Sequence, residues 1–180
     1  YWTGLPLNQV VNAGDIYFQL SEMAVVWPDL GKRLSRGHKS YLKLAERVLI
    51  YTRSQLKKQK SGSLSWLYME TGRIEDTSHA AVVVSFLVRS QNRGYSDLKE
   101  MMALTKTFHE VYNGTNSVNR VRSHLSSTYG SVGEEKWAKA LGAWYELIPY
   151  DATLYPKIKN IQDRWGSRLT TKAALRRFKP

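Results

Sequence analysis

The chain has 180 residues, no cysteine, and 27 Lys plus Arg against 15 Asp plus Glu, a net charge of +12. That length suits one domain, and a hydrophobic content of 42% excludes a disordered chain. The lack of cysteine removes disulfides, thiolate nucleophiles and cysteine metal sites, no run approaches the ~18 apolar residues of a membrane helix, and no charged-then-apolar leader opens the chain.

The first residue is Tyr1, which reads as a processed product, an expression product or a fragment of something larger. Residues 1–11 contain Gly4 and Pro6 and predict an irregular entry. From Asn12 to Trp27, Ile16, Leu20, Met23, Ala24 and Trp27 follow the helical period. Tyr17, Phe18, Val25 and Val26 fill other faces, so this helix is expected to be covered on more than one side. Residues 38–60 carry the clearest helical pattern, with Tyr41, Leu44, Ala45, Val48 and Leu49 on one stripe. Lys57, Lys58 and Lys60 are placed at its C-terminal end, where cations suit the dipole, and Ser61-Gly62-Ser63 ends it.

Leu64 to Arg73 reads as a short strand or extended loop. Asp76, Thr77 and Ser78 are each good N-caps, and the apolar run Ala80 to Val88 behind them is assigned to a buried helix stopped at Gly94. A further helix is expected over 96–112, with Leu98, Met101, Met102, Thr105, Phe108 and Tyr112 on one face. A weaker one follows over 115–128 through Val118, Val121 and Leu125, separated by Gly130 and Gly133 from the next. Trp137, Ala140, Leu141, Trp144 and Ile148 then form a stripe ended by Pro149, and Asp151 is read as the cap of a last helix carrying Leu154, Ile158, Ile161 and Trp165.

The total is seven helices with short connections and no βαβ alternation, so the predicted class is all-α, with antiparallel helix pairs. We expect a single helical domain over 1–180, in which 167–180 is a basic C-terminal tail that frays. The charge favours an anionic partner: acidic polysaccharide, nucleic acid or a membrane surface. It also serves solubility. Six Trp and 11 Tyr supply rings with polar edges, common where sugars or bases stack and equally suited to a helical core. No helix-turn-helix, zinc finger or basic zipper is present, so nucleic acid is the weaker choice.

The densest polar cluster is Trp66, Tyr68, Glu70, Arg73, Glu75, Asp76 and His79. It offers two rings, a cation, three carboxylates and an imidazole. His79 in a first helical turn meets the positive end of the dipole, which favours the neutral, basic form, while the carboxylates push the other way. The plainer reading makes Asp76 a cap and His79 an ordinary first-turn residue. His38, His109 and His124 carry less, and no histidine pair has metal-ligand spacing. We therefore expect no histidine metal site and no cofactor; a carboxylate and carbonyl calcium site stays open. There is no nucleophile elbow and no phosphate loop. Asn113-Gly114-Thr115 is a glycosylation sequon, or simply a helix C-terminal turn.

Leu5-Pro6-Leu7-Asn8-Gln9, then Trp66-x-Tyr68, Glu75-Asp76-Thr77-Ser78-His79-Ala80, and finally Trp144 with Tyr150-Asp151 together resemble the (α/α)-toroid domains of carbohydrate-active proteins. The uronate-polysaccharide lyases and glucuronyl epimerases are of this kind. The resemblance spans roughly residues 5–160 and is strongest in the E-D-T-S-H-A stretch. It implies an incomplete toroid of helix pairs whose loops line a cleft for an acidic polysaccharide, with Asn8, Trp66, Tyr68, Glu75, Asp76 and His79 at that cleft. It implies lyase or epimerase chemistry at C5 of a uronate, with His79 or Tyr68 as base and Asn8 and Arg73 steadying the carboxylate. Hydrolysis by paired carboxylates such as Glu70 and Glu75 is the alternative chemistry. The implied setting is extracellular or periplasmic. Seven helices are fewer than a full toroid needs, which points to a larger assembly supplying further domains or subunits, or to a non-catalytic glycan-binding or structural module.

Overall fold

The computed structural model describes residue 2 and residues 4–33, 37–70, 72–112, 121–125, 135–166 and 169–179. The chain is all-α apart from two short strands. In order, the elements are α1 (Leu7–Val26), α2 (Pro28–Arg33), α3 (His38–Gln55), β1 (Lys57–Lys58), β2 (Leu64–Ser65), α4 (Thr77–Asn92), α5 (Leu98–Val111) and α6 (Glu135–Gly142). A 3-10 stretch (Ala143–Tyr150), α7 (Leu154–Trp165) and α8 (Leu169–Arg177) follow. Among the described residues no helix is long and apolar enough to cross a membrane.

α4 is the central helix. It buries Ala80, Val83, Val84, Phe86, Leu87 and Val88, and packs against α1, α5, α6 and the 3-10 stretch. A helix this apolar must be covered on several sides; the connections are not uniformly short as expected, since α3 ends at Gln55 and α4 begins at Thr77, and α5 ends at Val111 and α6 begins at Glu135. α3 buries Tyr41, Ala45, Val48 and Leu49, four of the five residues its period singled out, and Thr52. α1 and α3 pack closely at Gly14, where even a Cβ would lie 2.6 Å from Val48 Cγ1.

The structure departs from the sequence reading in several places. α1 begins at Leu7, one residue after Pro6, because the Leu7 N–H is held by Tyr68 O at 2.9 Å. Its buried face is Leu7, Val10, Val11, Gly14, Phe18 and Ser21, not the stripe Ile16, Leu20, Met23 and Trp27; Ile16 and Trp27 are 55% and 56% exposed. α3 stops at Gln55, and Lys57 and Lys58 pair as a strand with Ser65 and Leu64, so these lysines belong to a hairpin turned by Gly62 at φ 85°. On α5, Leu98 and Met102 are exposed while Leu104 and Thr107 are buried.

The weak helix expected over 115–128 is not helical where described. Arg122 donates its N–H to Val111 O, and His124 bridges Asp76 in antiparallel register. The rest of that helix, the sequon and the two glycines after it lie outside the described residues. Pro149 sits inside the 3-10 stretch rather than after a helix. Asp151 is not the cap of α7: Thr153 holds that position, and Asp151 Oδ1 accepts the Thr153 N–H at 2.9 Å. The tail forms α8, which buries Thr171, Ala174 and Leu175 against α7 and the 3-10 stretch.

Candidate functional site

Residues 66–70 and 72–75 run antiparallel, bridged at Leu67 and Ile74, and deliver the polar cluster to the start of α4. Glu75 N–H donates to Trp66 O, Tyr68 N–H to Arg73 O and Gly72 N–H to Met69 O, each at 2.9 Å. The 121–125 segment closes the other side, since Thr77 N–H donates to Ser123 O at 2.8 Å and Leu125 N–H to Glu75 O at 3.0 Å. The start of α4, the end of α5 and the start of α1 therefore meet at one end of the bundle.

Asp76 is the cap of α4. Its Oδ1 accepts the backbone N–H of Ser78 at 2.8 Å and of His79 at 3.0 Å. Its Oδ2 lies 2.6 Å from His79 Nδ1. Facing a carboxylate, Nδ1 is the donor of this pair, and Nε2 is the ring nitrogen that Asp76 does not engage. The imidazole is 43% exposed, and its ring centroid stands 5.1 Å from that of Tyr68. Burial alone would raise the Asp76 pKa, but hydrogen bonds from Ser78 and from the His79 N–H, with the imidazole beside it, hold it below the usual range.

Glu75 is sealed, with no exposed side-chain area. Its Oε1 accepts the Asp76 N–H at 3.1 Å and lies 3.8 Å from His79 Nδ1, while Oε2 has no hydrogen-bond partner. Burial, and then the Asp76 charge, push its pKa up to about 8. The Asp76 N–H and the Trp66 indole N–H pull the other way, the latter facing the carboxyl without closing a hydrogen bond. Glu75 is thus closed off from solvent, and the polar side chains nearest its carboxyl are those of Asp76 and His79. Trp66 is itself fully buried, so its ring is core behind the carboxyl and offers no open stacking face.

Asn8 follows Leu7, the residue anchored to Tyr68, and its Oδ1 is buried without a hydrogen-bond partner. Arg73 is exposed on the hairpin. Glu70 is exposed and accepts the Tyr51 hydroxyl at 3.1 Å. With Glu75 sealed, Glu70 and Glu75 cannot flank a bond to be hydrolysed.

His124 was singled out only as a minor histidine, yet it belongs to the site. Its backbone bridges Asp76 and its Nδ1 lies 2.8 Å from Ser123 Oγ. Burial lowers its pKa; the Asp76 charge raises it and the Arg73 charge lowers it. Nothing local marks this role, because the bridge joins segments far apart in sequence.

Among the described residues, Glu75, Asp76 and His79 are the one group of acidic and imidazole side chains close enough to share a cation, with ligand atoms within 4.8 Å of one another. Both Asp76 oxygens are already engaged by the cap and the imidazole, and Glu75 favours its neutral form.

Beside the dyad runs a cleft of about 880 Å³ between α1, α4 and α6, whose lining includes Ser78, Arg89, Lys136, Lys139, Tyr145 and Trp165. Ser78, whose hydroxyl donates to Asp76, lines this cleft, while Asp76, His79 and Tyr68 do not. A separate cluster pins α5 to α7. The His109 Nε2–H donates to Asp151 Oδ2 at 2.7 Å, and Lys157 Nζ donates to His109 Nδ1 at 2.6 Å. No protein-family model, no curated protein and no solved structure matches the chain.

Proposed function

We propose that the chain is a carbohydrate-active domain that works on uronate-containing polysaccharide by taking the proton at C5, its helix pairs forming part of an (α/α)-toroid. The observation that carries this reading is the Asp76–His79 dyad at the start of α4, with Tyr68 against the imidazole and the neighbouring Ser78 lining a cleft. His79 Nε2 removes the C5 proton, and the electron pair enters the uronate carboxylate, where the Asn8 amide and the Arg73 guanidinium offset the charge. In elimination that pair then forms the C4–C5 double bond as the C4–O bond breaks, and the Tyr68 hydroxyl protonates the departing oxygen. In epimerisation Tyr68 instead returns a proton to the other face of C5. Asp76 holds the imidazole tautomer and offsets its charge once protonated, and neutral Glu75 behind it adds no competing charge. The setting that fits such a substrate is extracellular or periplasmic.

The cleft favours a second reading, glycan binding without chemistry. Lys136 and Lys139 with the Tyr145 and Trp165 rings are the groups that hold an anionic sugar chain. One experiment separates the two. The protein and a His79→Ala variant are incubated in heavy water with a panel of uronate polysaccharides. Ultraviolet absorbance then reports the unsaturated product, and NMR reports deuterium at C5. Chemistry that vanishes in the variant supports the enzyme. Binding by both proteins with neither signal supports the binder, and no binding at all overturns both.

A further inference from the structure

α1 carries two apolar stripes, and among the described residues only one of them is covered. The second consists of Ile16, Leu20, Met23 and Trp27, spaced four, three and four residues apart, the repeat of a coiled-coil seam. Ile16 and Trp27 are more than half exposed, as is Val26 beside them at 65%, while Leu20 and Met23 are partly exposed. Trp27 is the C-cap of α1, with φ −126° outside the helical range, but its N–H still donates to Met23 O at 2.8 Å, which sets it one turn beyond Met23 at the end of the stripe.

We infer that this stripe is a self-association surface, on which two copies of the chain pair α1 against α1 in antiparallel, two-fold symmetric register. The spacing is its own complement. An axis passing between Ser21 and Glu22 sets Ile16 opposite Trp27 of the second copy and Leu20 opposite Met23 of the second copy, the layering of an antiparallel seam.

Charge singles out the same occupant. The chain carries +12, yet α1 has no lysine or arginine; the first cation in the sequence is Lys32. Its two acids are each paired with a cation at the C-terminal end of α4, Asp15 with Arg89 at 2.6 Å and the exposed Glu22 with Arg93 at 2.6 Å. The flanking positions Tyr17, Gln19, Ala24 and Val26 are uncharged. Two strongly basic molecules can therefore meet along this helix without cation facing cation. An anionic membrane or nucleic acid finds no cation on α1 to hold it.

Sedimentation of the intact chain over a wide concentration range, beside Ile16→Glu, tests this. The expected result is a concentration-dependent species of twice 20.7 kDa that the charge on the seam weakens at least about tenfold. Ile16 is exposed, so an unchanged thermal unfolding curve shows the variant is folded. Because the chain has no cysteine, the register is tested separately with Ile16→Cys and Trp27→Cys. Under oxidation, a mixture of the two single variants cross-links and neither variant cross-links alone, since like positions lie about 16 Å apart at 1.5 Å per residue, beyond the reach of a disulfide. A monomer at all concentrations, a dimer indifferent to Ile16→Glu, or cross-linking of Ile16→Cys alone overturns the proposal.

Discussion

His79 Nδ1 and Asp76 Oδ2 are 2.6 Å apart, although Asp76 also caps the helix that begins beside it. One carboxylate does two jobs, and two substitutions separate them. Asn caps a helix about as well as Asp, so Asp76→Asn should leave stability within about 0.5 kcal/mol of the parent while removing the negative charge behind the imidazole. Asp76→Ala loses the cap as well and should cost about 1–2 kcal/mol. Urea unfolding of the three proteins measures the difference. Equal stability of the Asn and Ala variants would show that the cap bonds contribute nothing. If the chain has the proposed activity, it should fall in both variants.

Glu75 produces a pH dependence of definite sign. Its folded pKa, about 8, stands above the ordinary 4.5. Between those values the unfolded chain releases the proton and the folded chain keeps it. The folded state then binds more protons, so this group's contribution to stability falls as pH rises from about 4.5 to about 8 and levels off beyond. Glu75→Gln removes the titration. The stability of the variant minus that of the parent should rise across the same window, by an amount of order a few kcal/mol. Taking the difference cancels the opposing trend from Asp76, Asp151 and Glu22, whose lowered values cost stability only on the acid side. A flat difference would mean that Glu75 is ionised in the folded protein.

The parts of this fold legible in the sequence are those where burial and periodicity coincide. α3 shows one stripe and buries it, and the apolar run of α4 behind its Asp76 cap is buried as read. α1 defeats the same rule because it has two stripes, and the buried one contains Gly14 and Ser21, which do not register as apolar. Lys57 and Lys58 look like a helix end, yet the turn at Gly62 makes them a strand. The cluster around His79 was legible because it is contiguous. His124 was not, since only the pairing of residue 124 with residue 76 brings it there. Nor could the sequence show that Trp66 and Glu75 are sealed, because local pattern does not distinguish an aromatic facing solvent from one closing the core.

Gly14 tests how tightly α1 is seated. A Cβ there would lie 2.6 Å from Val48 Cγ1 and 2.8 Å from Phe86 Cε2, and both neighbours are buried core residues. Alanine improves helix propensity by up to about 1 kcal/mol, while overpacking costs about 1–3 kcal/mol. Gly14→Ala should therefore be destabilising on balance, by about 1–2 kcal/mol in urea unfolding. A gain in stability would show that α1 and α3 can separate without loss.

Arg53 ties the end of α3 to the start of α5 through four bonds. Its Nε and Nη2 each reach a Glu100 oxygen at 3.0 Å, and Nη2 also donates to Tyr95 O and Ser96 Oγ at 2.8 Å. The planar fork matches the carboxylate in a way that a lysine ammonium cannot. Glu100 is largely buried, its side chain 13% exposed, so losing the guanidinium leaves that carboxylate short of partners. Arg53→Ala should cost about 1–3 kcal/mol, and Arg53→Lys should recover only part of it. The double variant Arg53→Ala, Glu100→Ala should be less destabilised than the sum of its single changes, because the second substitution removes the stranded charge. Strict additivity in that cycle would show that the two side chains do not act as a pair, and that Arg53 works through the Tyr95 carbonyl and the Ser96 hydroxyl.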